Sequence, residues 1–122
     1  MTYQLKIKRI YEPAEADDGR RVLIDRLWPR GVSKERAAAE WVKDLAPSPA
    51  LREWFGHDLA RFEAFAAAYA KELDENPAAA AFAGSCRETL RERNVTLLYA
   101  SKAENCCNAP VLRDWLAERL KS

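Results

Sequence analysis

The chain has little of what usually betrays a function: one histidine, three cysteines, four glycines and an almost balanced charge. Twenty basic residues stand against nineteen acidic ones, a formal net charge of +1, so no whole-molecule field draws the protein to nucleic acid or to a membrane. Any basic site is therefore local. No apolar stretch nears the roughly 20 residues that a bilayer crossing needs, and Met1-Thr2-Tyr3-Gln4-Leu5-Lys6 lacks the apolar segment of a signal peptide. The odd cysteine count, with Cys106 and Cys107 adjacent, suits neither a disulfide framework nor an exported protein, so the expected location is cytoplasmic. A zinc site from Cys106, Cys107 and His57 would lack a fourth ligand and a recognised spacing, so no metal is expected, and the cofactor is left unspecified.

What the chain does have is enough apolar material for one core. With 122 residues, 48% of them hydrophobic, it is long enough for a single domain over 1–122 and too short for two. Leu5 and Ile7 alternate with Lys6 and Lys8, the period of a half-exposed strand near a sheet edge. The polar segment 11–19 reads as a loop, short for a parallel crossover, and leaves the relative direction of the first two strands open. Val22-Leu23-Ile24 is a fully buried strand, and Val95-Thr96-Leu97-Leu98-Tyr99-Ala100 is a third.

Helical patterns fill the rest. Ser33 caps a helix through Asp44 that carries Trp41; Ser48 and Pro49 open a short one with Leu51, Trp54 and Phe55, ended by Gly56. Asp58 caps a helix with the stripe Phe62, Phe65, Ala66, Tyr69 and Leu73, and Asn76-Pro77 open another with Phe82, Cys86 and Leu90. Leu112, Trp115, Leu116 and Leu120 are the core face of a final helix. The fold expected is α/β, a small and largely parallel sheet with helices packed around it.

The densest chemistry sits where the second strand ends, in Asp25-Arg26-Leu27-Trp28-Pro29-Arg30-Gly31. Pro29 and Gly31 stop the strand, and open α/β sheets bind ligands at the carboxyl ends of their strands. A parallel crossover through the helices puts the ends of the second and third strands on one edge, bringing Asp25, Arg26 and Arg30 near Ser101, Lys102 and the Cys106-Cys107-Asn108 loop. Guanidinium forks and a helix start suit phosphate or carboxylate oxygens.

The candidate ligand contacts are Arg9, Arg26, Trp28, Arg30, Tyr99, Lys102 and Asn108, and Asp25 and His57 are the candidates for acid–base work. Each has a plainer alternative. Asp25 and Arg26 can form a structural ion pair, Arg30 can lay its stem on Trp28, Asp25 can merely orient an arginine, and Thr96 and Tyr99 can be core residues. His57 can bond nearby backbone. Cys106 and Cys107 precede a helix, where thiols become acidic, but they have no C-x-x-C partner and no histidine in their loop; Cys86 reads as a small buried hydrophobe.

Arg9 and Tyr11, Asp18-Gly19, the run Arg21 to Gly31, Lys34, Trp41, Ala46-Pro47-Ser48, Leu51-Arg52, Trp54-Phe55, His57, Tyr69, Glu72-Leu73 and Thr96 to Ala100 together resemble the DUF488 family, in its YeaO-like branch, over nearly the whole chain. The resemblance implies a small bacterial cytosolic α/β protein from a family of unknown function, with no settled substrate or cofactor. Where that family usually has an asparagine two residues before the alanine of the last helix, this chain has Cys107, with Asn108 next; either the loop is shifted or Asn108 takes over the cap. Longer relatives carry a Cys-His-Arg word near this loop, of which Cys106-Cys107-Asn108 shares only the cysteine, so no catalytic thiol is transferred.

The reading is thus a protein that binds a small anionic ligand, phosphorylated or nucleotide-like, at this strand edge, with a hydrolase or transferase as its enzymatic version. The other class is a non-enzymatic interaction or regulatory protein whose arginines contact acidic partners or nucleic-acid phosphates. The absence of a basic helix argues against nucleic acid, no membrane partner is expected, and the oligomeric state is open.

Overall fold

The computed structural model describes residues 3–102 and 107–121. Four strands, β1 (Leu5–Arg9), β2 (Arg20–Leu23), β3 (Glu40–Trp41) and β4 (Val95–Tyr99), form one sheet in the order β1-β4-β2-β3. Every pairing is parallel: Ile7 lies opposite Leu97, Val22 opposite Leu97 on the other side, and Val22 opposite Glu40. Helices α1 (Lys34–Ala37), α2 (Pro49–Phe55), α3 (Phe62–Asp74), α4 (Pro77–Thr89) and α5 (Asn108–Leu120) accompany it, giving the α/β class that the patterning predicts. No helix among the described residues is long and apolar enough to cross a membrane.

β4 is buried at all five positions because it is central and covered on both faces. Val95, Leu97 and Tyr99 face the main core with Val22 and Ile24, against Phe65, Tyr69 and Leu73 of α3, Phe82 and Cys86 of α4, and Leu112 and Leu116 of α5. Leu98 and Leu23 face the other way, onto Ile10, Val32 and Ala37. The direction of the first two strands is now settled, since both run parallel to the β4 between them. Residues 10–19 span only that one intervening strand, so the connection needs no full helix; a single 3-10 turn, Ala16–Asp18, suffices.

Two of the helices keep the boundaries that their caps predict. Ser48 accepts from the Leu51 amide with Pro49 at the first helical position, Gly56 closes α2 in the left-handed region, and Asn76 caps α4 through the Ala78 amide. Asp58 caps a 3-10 turn, Leu59–Arg61, that leads into α3. Trp54 departs from its expected stripe: it is exposed, with the Arg61 guanidinium 5.3 Å from its ring centre.

The expected helix from Ser33 through Asp44 is corrected. Ser33 does cap, accepting from the Arg36 amide, but α1 ends at Ala37, Ala38 turns left-handed at φ 47°, and Glu40 and Trp41 join the sheet as β3. Tertiary partners outweigh the helix propensity of the alanines here. Arg20 grips Glu40 in a two-pronged ion pair at 2.7 and 2.9 Å, and the Trp41 indole donates to the Asp25 carbonyl at 2.8 Å.

Lys8, expected on an exposed face, is instead covered by the crossover and is only 9% exposed. Its ammonium bonds Asp18 at 3.0 and 3.1 Å, Glu15 at 2.8 Å and the Pro13 carbonyl at 2.8 Å. Arg21 reaches the same Asp18 at 2.5 Å and donates to the Ala37 carbonyl, while the Thr96 hydroxyl donates to the Asp18 carbonyl at 2.7 Å. Burial alone would raise the Asp18 pKa, but the Glu15 amide, Lys8 and Arg21 outweigh it and hold the carboxyl below its ordinary value of 3.8.

Asp18→Asn leaves two buried cations short of a counter-charge and is expected to cost about 3 kcal/mol or more in denaturant melts. Because the folded pKa is depressed, the Asp18 contribution is present above about pH 4 and is lost as pH falls through the folded value, so the variant should lack that part of the wild-type acid limb. Gly19→Ala should destabilise by more than about 2 kcal/mol, since Gly19 sits at φ +65° and an added Cβ would lie 2.2 Å from the Asn94 carbonyl oxygen.

Candidate functional site

Past Leu23 the chain of β2 continues beside β4 for one more bond, Ile24 amide to Leu98 carbonyl at 3.1 Å, and then leaves the sheet. Asp25 follows at the point of departure. Its carboxylate accepts from the Ala100 amide at 2.9 Å and from the Asn108 side-chain amide at 3.3 Å. One side chain thus joins the end of β2, the end of β4 and the start of α5. Burial pushes the Asp25 pKa above its ordinary 3.8, only partly opposed by those two hydrogen bonds and by the nearby Arg52 guanidinium.

A cavity of about 440 Å³ opens at this edge, within the size range of small-molecule pockets. Its buried lining includes Phe55, Phe65, Pro47 and Cys107, while the exposed Tyr11, Leu27, Arg30, Arg52 and His57 stand at its mouth. Asp25, Arg26, Trp28, Ala100, Ser101 and Asn108 complete most of the wall. Arg26 donates to the Pro47 carbonyl at 3.3 Å, and its Nε is buried from solvent with no hydrogen-bond partner among the described residues. Trp28 is fixed by donation to the Val32 carbonyl and by an edge-on contact with Trp41. His57, held at φ 58°, sets its ring 5.7 Å from that of Phe55.

Of the residues singled out from sequence, Asp25, Arg26, Trp28, Arg30, His57 and Asn108 come together around this cavity. Arg9, Tyr99 and Lys102 are not among its lining residues. Arg9 donates instead to the Ser101 and Ala100 carbonyls, both at 3.0 Å, and lies over the Tyr11 ring, so it shapes the loop after β4 from behind. Tyr99 packs in the main core, and Lys102 is exposed. No cluster of three or more histidine, cysteine, aspartate or glutamate side chains suited to a metal ion occurs among the described residues.

A family model described as the inactive DUF488-N3 subclade matches residues 4–122. The uncharacterised protein YeaO of Escherichia coli is 37% identical over 113 residues, covering 92% of this chain and 96% of its own. The chain belongs to the DUF488 family. The uncharacterised protein Rv3073c of Mycobacterium tuberculosis is 45% identical over 78 residues, 63% of this chain, and the match spans 66% of that relative's length. No solved structure matches at a significant level.

The departure of this DUF488 chain at the last helix now has a physical account. Cys107 occupies the N-cap position and makes no side-chain cap bond, while Asn108 is the first helical residue and turns its amide toward Asp25 rather than capping. The polar loop before this helix predicts that Cys106 or Cys107 is more accessible than Cys86, but Cys107 is buried, only 2% exposed; Cys106 lies outside the described residues. Cys86 is fully buried as expected, and burial pushes its thiol up to about 12.

Sequence reasoning passed over Arg52, Tyr11, Phe55 and Phe65 as pocket residues. Arg52 carried one signal, an arginine between the apolar positions Leu51 and Phe55 of a helix that starts right after Ala46-Pro47. Nothing local says that this helix leans over the edge of β2.

Asp25→Ala should cost about 2 to 3 kcal/mol in denaturant melts, because it leaves the Ala100 amide and the Asn108 side chain without their acceptor. Asp25→Asn tests the charge. A raised folded pKa means that the folded state holds this proton more tightly than the unfolded chain, so wild-type stability should fall relative to Asp25→Asn as pH rises from about 3.8 through the folded value, then level off.

Proposed function

We propose that this protein binds a small anionic ligand, phosphorylated or nucleotide-like, in the cavity at the carboxyl edge of its sheet, and holds it without turning it over. The observation that carries the reading is the convergence of Arg26, Arg30 and Arg52 on one cavity, none of them in an ion pair among the described residues. A phosphate or carboxylate oxygen among these guanidinium groups would supply the counter-charge that the cavity wall does not. The start of α5, a helix long enough to have a dipole, borders the same cavity and adds a favourable field for negative charge.

Binding without turnover is favoured over hydrolase or transferase chemistry by the use already made of Asp25. Both its oxygens accept hydrogen bonds from the protein, which suits an element of the wall better than a general base. The description of the matching family model as an inactive subclade points the same way. The interaction-protein alternative has less support, because the arginines border a concave site rather than a flat or ridged face.

Phosphate or a mononucleotide should raise the melting temperature of the wild type, by the equivalent of about 2.7 kcal/mol at a hundredfold excess over Kd. Arg30→Ala should abolish that rise without lowering the melt of the unliganded protein, since its exposed guanidinium has no hydrogen bond to lose among the described residues. A wild-type melt unmoved by any phosphate, nucleotide or carboxylate would end the proposal.

A further inference from the structure

Asp25 is the one carboxylate among the residues that line the cavity, alongside three arginines. It is only partly covered, and it enters no ion pair among the described residues; its two oxygens accept from the Ala100 amide and the Asn108 side chain. A carboxylate offers about four lone-pair sites, so about two are left for a proton or another donor. A cavity of about 440 Å³ spans roughly 8 Å, no more than a Debye length at physiological ionic strength, so salt does not screen an anion held there from Asp25.

Two negative groups so placed repel each other, and the guanidinium groups cannot give up their charge. The proton that relieves the repulsion goes to the carboxyl. Burial already favours the neutral form of Asp25, and the Arg52 guanidinium opposes it. An anion that engages Arg52 cancels this support for the ionised form as well as adding repulsion. Around Asp25, Arg26 and Arg30 stand on its own segment, His57 just past α2 and Cys107 before α5, while the buried Tyr69 of α3 senses its charge from the core. Among the lining residues, only His57 offers a second site for proton uptake in the mildly acidic range.

Resting on the anion-binding reading above, we infer that the anion enters this cavity together with a proton taken up by Asp25, so that the site holds its ligand more tightly in acid. Protonation leaves the wall standing, because the proton takes one lone-pair site and the same oxygen still accepts an amide at its other. Linkage is reciprocal: the anion raises the Asp25 pKa by the factor that protonation raises the affinity for the anion. Affinity therefore falls as pH rises from the Asp25 pKa of the free protein to its higher value in the complex, by up to about tenfold per pH unit, and is level beyond.

The probe is inorganic sulfate, a tetrahedral oxyanion whose charge is constant over about pH 4.5 to 8.5, titrated into the full chain by calorimetry across that range. Pairs of buffers that differ in ionisation enthalpy read the number of protons taken up. Wild type should take up about half a proton or more at its maximum and lose about tenfold in affinity across the range, as a one-unit rise in the Asp25 pKa requires. Asp25→Asn should vary in affinity by less than about threefold. His57→Asn, a side chain that tolerates the φ of 58° at that position, should keep the wild-type uptake. If Asp25→Asn fails to fold, uptake that persists in His57→Asn still supports the inference, because Asp25 is then the one acid–base group of the wall left to titrate in this range. Uptake that vanishes in His57→Asn, or that survives intact in Asp25→Asn, overturns the role of Asp25. Sulfate binding without proton uptake at any pH overturns the coupling and leaves an anion site standing. Absence of sulfate binding at every pH overturns the anion site itself.

Discussion

Because β2 and β4 pair in parallel, with Val22 opposite Leu97 and Leu23 opposite Leu98, both strands deliver their last residues to the same edge of the sheet. Everything at the candidate site depends on that one pairing. It lets the Asp25 carboxylate reach the Ala100 amide, and through Asn108 it fixes where α5 begins. It also keeps the loop after β4 within reach of Arg9 from the neighbouring strand, so the wall of the cavity is held from both sides. An antiparallel arrangement would send the end of β2 and the end of β4 to opposite edges and leave no shared site.

Two aspartates bracket β2, and their environments separate structure from site. Asp18, just before the strand, touches Lys8 and Arg21 directly and is held below its ordinary pKa despite being almost wholly buried. Asp25, just after it, is bonded only to amides, and burial moves it the other way. The first arrangement is complete: each partner answers another, and the Thr96 hydroxyl and the Glu15 amide take up further bonds. The second leaves positive charge over, on Arg26, Arg30 and Arg52, in a place open to solvent. The first set closes on itself, so removing one member leaves a buried charge uncompensated, whereas the arginines beside the cavity have no carboxylate partner among the described residues.

Much of this was legible in the residues. The four longer helices announce themselves through Ser48-Pro49, Gly56, Asn76-Pro77 and their apolar stripes, because capping and amphipathic spacing are local. The charged end of the Val22-Leu23-Ile24 strand was equally plain. What escaped was non-local. Glu40 and Trp41 form a strand through Arg20 and Asp25, partners about twenty residues away, and nothing in the alanines before them hints at it. Lys8 looked like an exposed lysine because its burial depends on how residues 10–19 cross the sheet. Arg52 and Phe65 became cavity residues only once α2 and α3 were packed over the edge. Arg9 and Tyr99 were placed on the right strands, but the first serves loop carbonyls and the second serves the core.

The near-neutral charge of the chain, which at first excludes so much, is in the end consistent with a local cationic site. Asp18 and Glu15 answer Lys8 and Arg21, Glu40 answers Arg20, and Asp74 answers Arg119, so these cations carry their own counter-ions. The arginines around the cavity have no such acid in an ion pair among the described residues, and the one carboxylate within the wall is engaged by amides. Local potential follows from which charges are left over after pairing, not from their total. A chain with a net charge of +1 can therefore present a focused positive pocket, with low-dielectric walls from Phe55, Phe65 and Trp28 that strengthen it.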